Sequence, residues 1–134
     1  MSKSLIQTAN QSSQTVADNS IISLGSVIRR YGCNCRLSGN AIEVVGSGYY
    51  TIDANVTVAP TSVGTVTVAL YNNGVQIPSA IASGSVSTAE SPVTLPIQTT
   101  IRQGCNCDGA DTITCMLVTG GGTVSNISLR VEKS

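Results

Sequence analysis

Alternation with a period of two runs through most of this chain and limits the fold more than any other feature. In YYTIDANVTV, Tyr50, Ile52, Ala54, Val56 and Val58 share one face of an extended segment, while Tyr49, Thr51, Asp53, Asn55 and Thr57 share the other. TVTVALY repeats the pattern with Val66, Val68 and Leu70 inward. PVTLPIQTTIR places Val93, Leu95, Ile97, Thr99 and Ile101 on one side, and NISLRVEK turns Ile127, Leu129 and Val131 in and Ser128, Arg130 and Glu132 out. Val, Ile and Thr dominate these runs, as a pleated, half-buried surface requires. No apolar stripe at helical spacing lasts three turns.

The breaks between runs agree. Asn72, Asn73 and Gly74 separate two apolar runs and predict a hairpin turn, since Asn-Gly supplies the positive φ such turns need. GSG at 46–48, APTSVG at 59–64 and TGGGT at 119–123 are further turns. Pro96 inside a strand pattern predicts an edge or a bulge. Strands are expected near 3–9, 20–29, 35–38, 41–46, 49–59, 64–71, 75–83, 92–102, 111–119 and 124–133. Eight to ten short strands so spaced define an all-β antiparallel sandwich of the jelly-roll kind. Residues 1–19 are set apart as an amino-terminal arm or first strand and a possible anchor; 20–134 form the jelly-roll domain.

Composition narrows the function. The chain has 134 residues, enough for one domain, and its 7 basic and 7 acidic side chains cancel. That balance gives no footprint for nucleic acid or anionic lipid. No apolar run approaches the ~20 residues that span a bilayer, and the opening MSKSLIQTANQSSQ lacks the apolar core of a secretory signal. Either synthesis in the cytoplasm or a mature form with its signal removed is expected, and the initiating methionine favours the first. With no histidine, catalytic triads, Cys-His dyads and imidazole zinc sites are excluded. Phe and Trp are also missing, and only Tyr31, Tyr49, Tyr50 and Tyr71 carry rings. Aromatic-lined pockets and base-stacking platforms are therefore not expected. A core of aliphatic side chains buries less per residue, which favours association with further copies.

A Gly-Cys-Asn-Cys box occurs twice, with Cys33 and Cys35 in the first and Cys105 and Cys107 in the second. Both fall at strand ends, where a jelly roll gathers its loops, so the boxes are candidate neighbours. Three readings stay open. Four thiolates could hold zinc or iron, although one intervening residue is short for paired ligands. Two disulfides between the boxes would close a loop of roughly 70 residues. Free thiols packed as small hydrophobes are the third reading. A redox catalyst is least favoured, because only Arg36 is close enough in sequence to hold a thiolate. Cys115 alternates with Ile113 and Leu117 and reads as core. Asp108 and Asp111 offer too few oxygens for calcium. Arg29 and Arg30 face opposite ways on a strand and read as surface residues. No catalytic residue, cofactor or metal is assigned.

One strand departs from clean alternation. In DTITCMLVTG, Met116 and Val118 are apolar on the face opposite Ile113, Cys115 and Leu117. An apolar outer face is covered either by a loop or by a symmetry mate. Met116 and Val118 are accordingly the candidate contact residues of an oligomer.

The run GNAIEVVGSGYYTIDANVTV, then GTVTVALYNNGVQI, then SPVTLPIQTTIRQGCNCDGADTITCMLV, resembles the tumour necrosis factor-like jelly roll shared with complement-type globular heads. Gly48, Tyr49 and Tyr50 match the lead-in to the long strand, Asn73 and Gly74 the turn, and Asp111 to Val118 the late strand. The resemblance covers most of 20–133 and is closest to bacterial and phage versions. The opening SLIQTAN followed by LGSVIRRYGCN is similar to small phage head proteins. The chain departs from the spore-surface members in lacking a collagen-like stalk, and from animal members in lacking the aromatic set of the trimer axis. The resemblance implies a homotrimer without catalysis, serving as a capsid decoration or head-fibre protein on the virion surface with the major capsid protein as partner. The alternative it implies is a receptor- or carbohydrate-binding head on a tail fibre or bacterial surface protein.

Overall fold

The computed structural model describes residues 4–32, 34–46, 48–103 and 111–133. Twelve strands follow in chain order: β1 Leu5–Asn10, β2 Gln14–Val16, β3 Ser20–Ile21, β4 Ser26–Tyr31, β5 Cys35–Ser38, β6 Ala41–Val44, β7 Gly48–Pro60, β8 Gly64–Asn72, β9 Val75–Val86, β10 Val93–Gln103, β11 Asp111–Thr119 and β12 Gly122–Lys133. They build two antiparallel sheets. One has the order β10-β7-β12-β1-β4, with β2 continuing the β1 lane beside β12; the other has the order β5-β6-β11-β8-β9, with β3 continuing the β6 lane beside β11. The chain shuttles between the sheets, giving the jelly-roll sandwich that the alternation predicts.

Ten of the twelve strands contribute an inward set to one shared core, and β3 and β4 contribute none. Ile6, Ile52, Val56, Leu70, Ile113, Leu117, Ile127 and Leu129 are fully buried, and Tyr50 is the largest side chain among them. Tyr50 fills volume that aliphatic residues leave open, while Tyr49, one residue earlier, faces solvent.

One expectation changes in the amino-terminal third. The stretch 20–29, expected as one strand, is split: β3 belongs to the second sheet and β4 to the first. Gly25 makes the crossover at φ 78°, with its Cα so close to β1 that an added Cβ would lie 2.4 Å from the Ala9 carbonyl oxygen. Only glycine satisfies both conditions. The alternation of Ile22 and Leu24, both fully buried, continues across the break because both sheets face the same core. Residues 5–10, at the start of the stretch set apart as arm or first strand, form β1, paired with β12 on one side and β4 on the other. Pro96 sits on β10, an edge strand, opposite Asn55.

The hairpin between β8 and β9 turns on Asn73 (φ 54°) and Gly74 (φ 82°). Asn73 also locks the adjacent strand: its N–H donates to the Thr112 carbonyl (2.9 Å) and its Oδ1 accepts from the Thr112 N–H (3.0 Å).

Candidate functional site

Strand register fixes where the cysteine boxes emerge. Across the first sheet, Tyr31 stands opposite Leu5, Leu5 opposite Glu132, Glu132 opposite Thr51 and Thr51 opposite Thr100. The carboxyl ends of β4 and β10, which lead into the two boxes, therefore lie at the same end of the sandwich. In the second sheet Cys35 stands opposite Val44, and Val44 opposite Asp111, four residues after the second box ends at Cys107 and the first described residue beyond it. Two strand spacings separate Cys35 from Asp111, about 10 Å. Cys33, Cys105, Cys107 and Asp108 lie outside the described residues, as does the side chain of Asp111.

Cys35 itself points into the core, buried with a free thiol, as does Cys115. Burial pushes the Cys35 thiol from 9.0 up to about 11, partly offset by the positive charges of Arg30 and Lys133. Burial alone pushes Cys115 from 9.0 up to about 12. Both thiols stay protonated at neutral pH and are shielded from solvent. Iodoacetamide near neutral pH is expected to leave Cys35 and Cys115 unlabelled in the folded protein and to label both in urea; labelling of either in the native state contradicts this. A raised native pKa also has a defined linkage sign. Unfolded thiols ionise from about pH 9 while the folded ones do not, so this contribution to stability is complete below pH 9 and is lost as pH rises towards 11–12. Urea midpoints at pH 8 and above 10 test it.

Among the described box residues, Asn34 has the most connections. Asn34 Oδ1 accepts from Ser4 Oγ at 2.7 Å, its N–H donates back to Ser4 Oγ at 3.2 Å, and its Nδ2 donates to the Val45 carbonyl at 2.7 Å. The Val45 N–H returns a bond to the Asn34 carbonyl at 2.8 Å, and the Lys133 N–H donates to the Ser4 carbonyl at 2.8 Å. Asn34 thus ties the β4–β5 turn to the β6–β7 turn and to both chain ends. Asn34→Ala is expected to lower stability by about 1–3 kcal/mol, because the buried Ser4 hydroxyl loses its acceptor and keeps only the bond from the backbone N–H of residue 34. A thermal midpoint within a degree or two of wild type would contradict that role. The sequence reading assigned the box to sulfur chemistry and passed over Asn34.

The two outer faces differ in chemistry. On the first sheet, Gln7, Arg130, Asp53 and Gln98 stand in one row and Ala9, Ser128, Asn55 and Pro96 in the next. Arg130 bridges Asp53 (3.2 Å) and Glu132 (2.7 Å) there, a half-exposed cluster on a largely polar face. A shallow depression of about 420 Å³ lies beside it, lined by Asp53, Asn55, Pro96 and Gln98. Tyr31 and Tyr49 both lie at the box end, but three strand spacings, about 14 Å, keep their rings from forming one stacking platform.

On the second sheet, Met116 stands opposite Ile21 on one side and Ala69 on the other, and Ala69 opposite Ile81. These four make an apolar row across the outer face, with Ile21 46% and Ile81 45% exposed, Met116 half-buried and Ala69 fully buried between them. Val118 sits at a register shift between Leu117 and Thr119 and is half-buried. Met116 was legible from sequence. Ile21, Ala69 and Ile81 were not, since only register brings them beside it.

Among the described residues no group of three His, Cys, Asp or Glu side chains could hold a metal ion, and no helix is long and apolar enough to cross a membrane.

The architecture is a tumour necrosis factor-like jelly roll, and known structures match it nearly end to end. Murine APRIL superposes with a TM-score of 0.73 at 13% identity over 99% of this chain and 100% of that one. The globular domain of zebrafish complement 1qA protein gives 0.70 at 5% identity, over 96% and 94%. The vertex protein P5 of PRD1 gives 0.69 at 15% identity, over 97% and 96%. No family model and no curated protein matches the sequence. At these identities the likeness concerns the fold.

Proposed function

We propose that this chain is a non-catalytic structural protein of a phage virion, a homotrimer that decorates the capsid surface as a decoration or head-fibre module and binds the major capsid protein. The observation that carries this reading is the likeness to PRD1 vertex protein P5 across 97% of the chain. Three further points support it. The described thiols, Cys35 and Cys115, are protonated and enclosed, which disfavours them as nucleophiles. The core contains a single large ring, Tyr50, so additional burial between copies stabilises the fold. The apolar row of Ile21, Met116 and Ile81, closed over the buried Ala69, gives copies a surface to share, with Val118 beside it.

Two experiments test the proposal. Virions purified through a density gradient are expected to carry the chain, with antibody against it decorating intact particles; particles free of it overturn the virion assignment. Ile21→Lys combined with Ile81→Lys is expected to reduce the trimer to monomer in light scattering, because two charges would be buried unpaired at the contact. An unchanged trimer would move the contact to the polar face of the first sheet.

A further inference from the structure

Each sheet ends in strands with one unpaired rim of backbone N–H and C=O groups, and such rims invite strand addition unless guarded. Most are guarded here. β10 carries Pro96. β9 carries Pro78 followed by Ser79 in a left-handed conformation, φ 69°. β5 has four residues, β2 three and β3 two.

β4 differs. It runs for six residues, Ser26–Tyr31, with neither proline nor glycine, and every residue is exposed. Ile28 is 51% and Tyr31 66% exposed, a large apolar surface for a free edge. β1 is its partner on one side, and no described strand flanks the other. A register shift opposite Gln7 and Thr8 leaves Ile28 as the extra residue, so this edge is guarded only by one bulge and the two arginines beside it, which admit a strand of opposite charge.

The charges on β4 indicate what fits. Arg36 pairs with Glu43, and Arg130 with Asp53 and Glu132. Arg29 and Arg30 have no ion pair among the described residues, and Arg30 Nε donates only to the Cys35 carbonyl, at 3.1 Å. Two β4 strands laid edge to edge would set these guanidinium groups against each other, which disfavours a second copy as the occupant. A carboxylate on an added strand, directly across from Arg29, would sit within pairing distance.

We propose that β4 is a strand-addition site for an extended, acidic segment of a partner protein. The segment would continue the first sheet through backbone hydrogen bonds, with Asp or Glu across from Arg29 and Arg30 and apolar side chains against Ile28 and Tyr31. This rests on the reading of the chain as an attachment module and names the surface through which it attaches.

The test uses the full chain and a capped, fluorescent hexapeptide, Thr-Val-Glu-Glu-Val-Thr, whose adjacent glutamates stand across from Arg29 and Arg30 and whose valines stand across from Ile28 and Tyr31, followed by anisotropy. Binding is expected, weakened about fivefold or more by Arg29→Glu, and abolished when alternate peptide nitrogens are methylated. A peptide with lysine in place of glutamate is expected not to bind. Equal binding of the two peptides, binding that survives methylation, or no binding at all would overturn the proposal. Ile28→Lys is expected to leave the oligomeric mass unchanged; a fall in mass would assign β4 to a copy of the chain and overturn a partner strand. The thermal midpoint of each variant confirms that it folds. A trimer that ignores every peptide refutes the β4 site alone, whereas a monomer that binds them refutes the trimer alone.

Discussion

Deletion of residues 1–10 is expected to leave a chain that does not fold. β1 lies inside the first sheet, in register with β12 from Leu5–Glu132 to Asn10–Ile127 and with β4 from Leu5–Tyr31 to Ala9–Ser26. Its removal takes Ile6 from the core, opens the rim of β12 and strips β4 of its partner strand. It also removes Ser4, which holds Asn34 and Lys133. Losses on this scale exceed the roughly 5–15 kcal/mol that holds a domain together. Circular dichroism and urea titration of the truncated chain are expected to show no cooperative transition, with the protein in aggregates. A soluble truncation with a near-native midpoint would mean that β1 is dispensable. The same geometry shapes how attachment must be studied: removing the whole amino-terminal stretch would destroy the sheet, so point changes on β4 are the informative ones.

Tyr50→Ala is expected to lower stability by about 3–5 kcal/mol, the range for removing a buried aromatic ring. In a domain of this size that shifts the thermal midpoint by on the order of 10 °C or more. Tyr50 is fully buried, and its hydroxyl lies 2.9 Å from the carbonyl oxygens of both Val45 and Gly46. No second large ring stands in the described core to fill the space. Tyr50→Phe separates the ring from the hydroxyl. Asn34 Nδ2 still donates to the Val45 carbonyl at 2.7 Å, so the phenylalanine variant is expected to lose only about 1 kcal/mol. If alanine and phenylalanine proved equally mild, within about 1 kcal/mol of wild type, the ring would not be the keystone of the box end.

These two sites show what alternation can and cannot convey. The strands expected at 49–59, 64–71 and 92–102 form at Gly48–Pro60, Gly64–Asn72 and Val93–Gln103. Long runs leave little freedom, because a one-residue slip would expose the whole inward set. The stretch 20–29 was misread for a related reason. Alternation states that Ile22 and Leu24 face the core, but not which sheet faces it from their side. The packing of Gly25 against Ala9 is a contact between distant segments, and nothing local marks it.

The candidate site divides in the same way. Met116 announced an apolar outer face by its own position in the strand. The row it completes depends on the pairing of β3, β11, β8 and β9, which alternation alone does not set. The box asparagine is harder still to read, since Asn34 reaches Ser4, thirty residues away, and Val45, eleven away. Polar residues gain their roles from partners, and those partners appear only once the two ends of the sandwich are assembled.

The proposed function turns on association. A sandwich with one large core ring and an apolar row on its outer face is argued to do its work as a trimer on a larger surface. The most direct measurement is the mass of the purified chain in dilute solution by light scattering. Three times the 13.7 kDa of the single chain is the predicted result. A stable, folded monomer of 13.7 kDa at every concentration would contradict it.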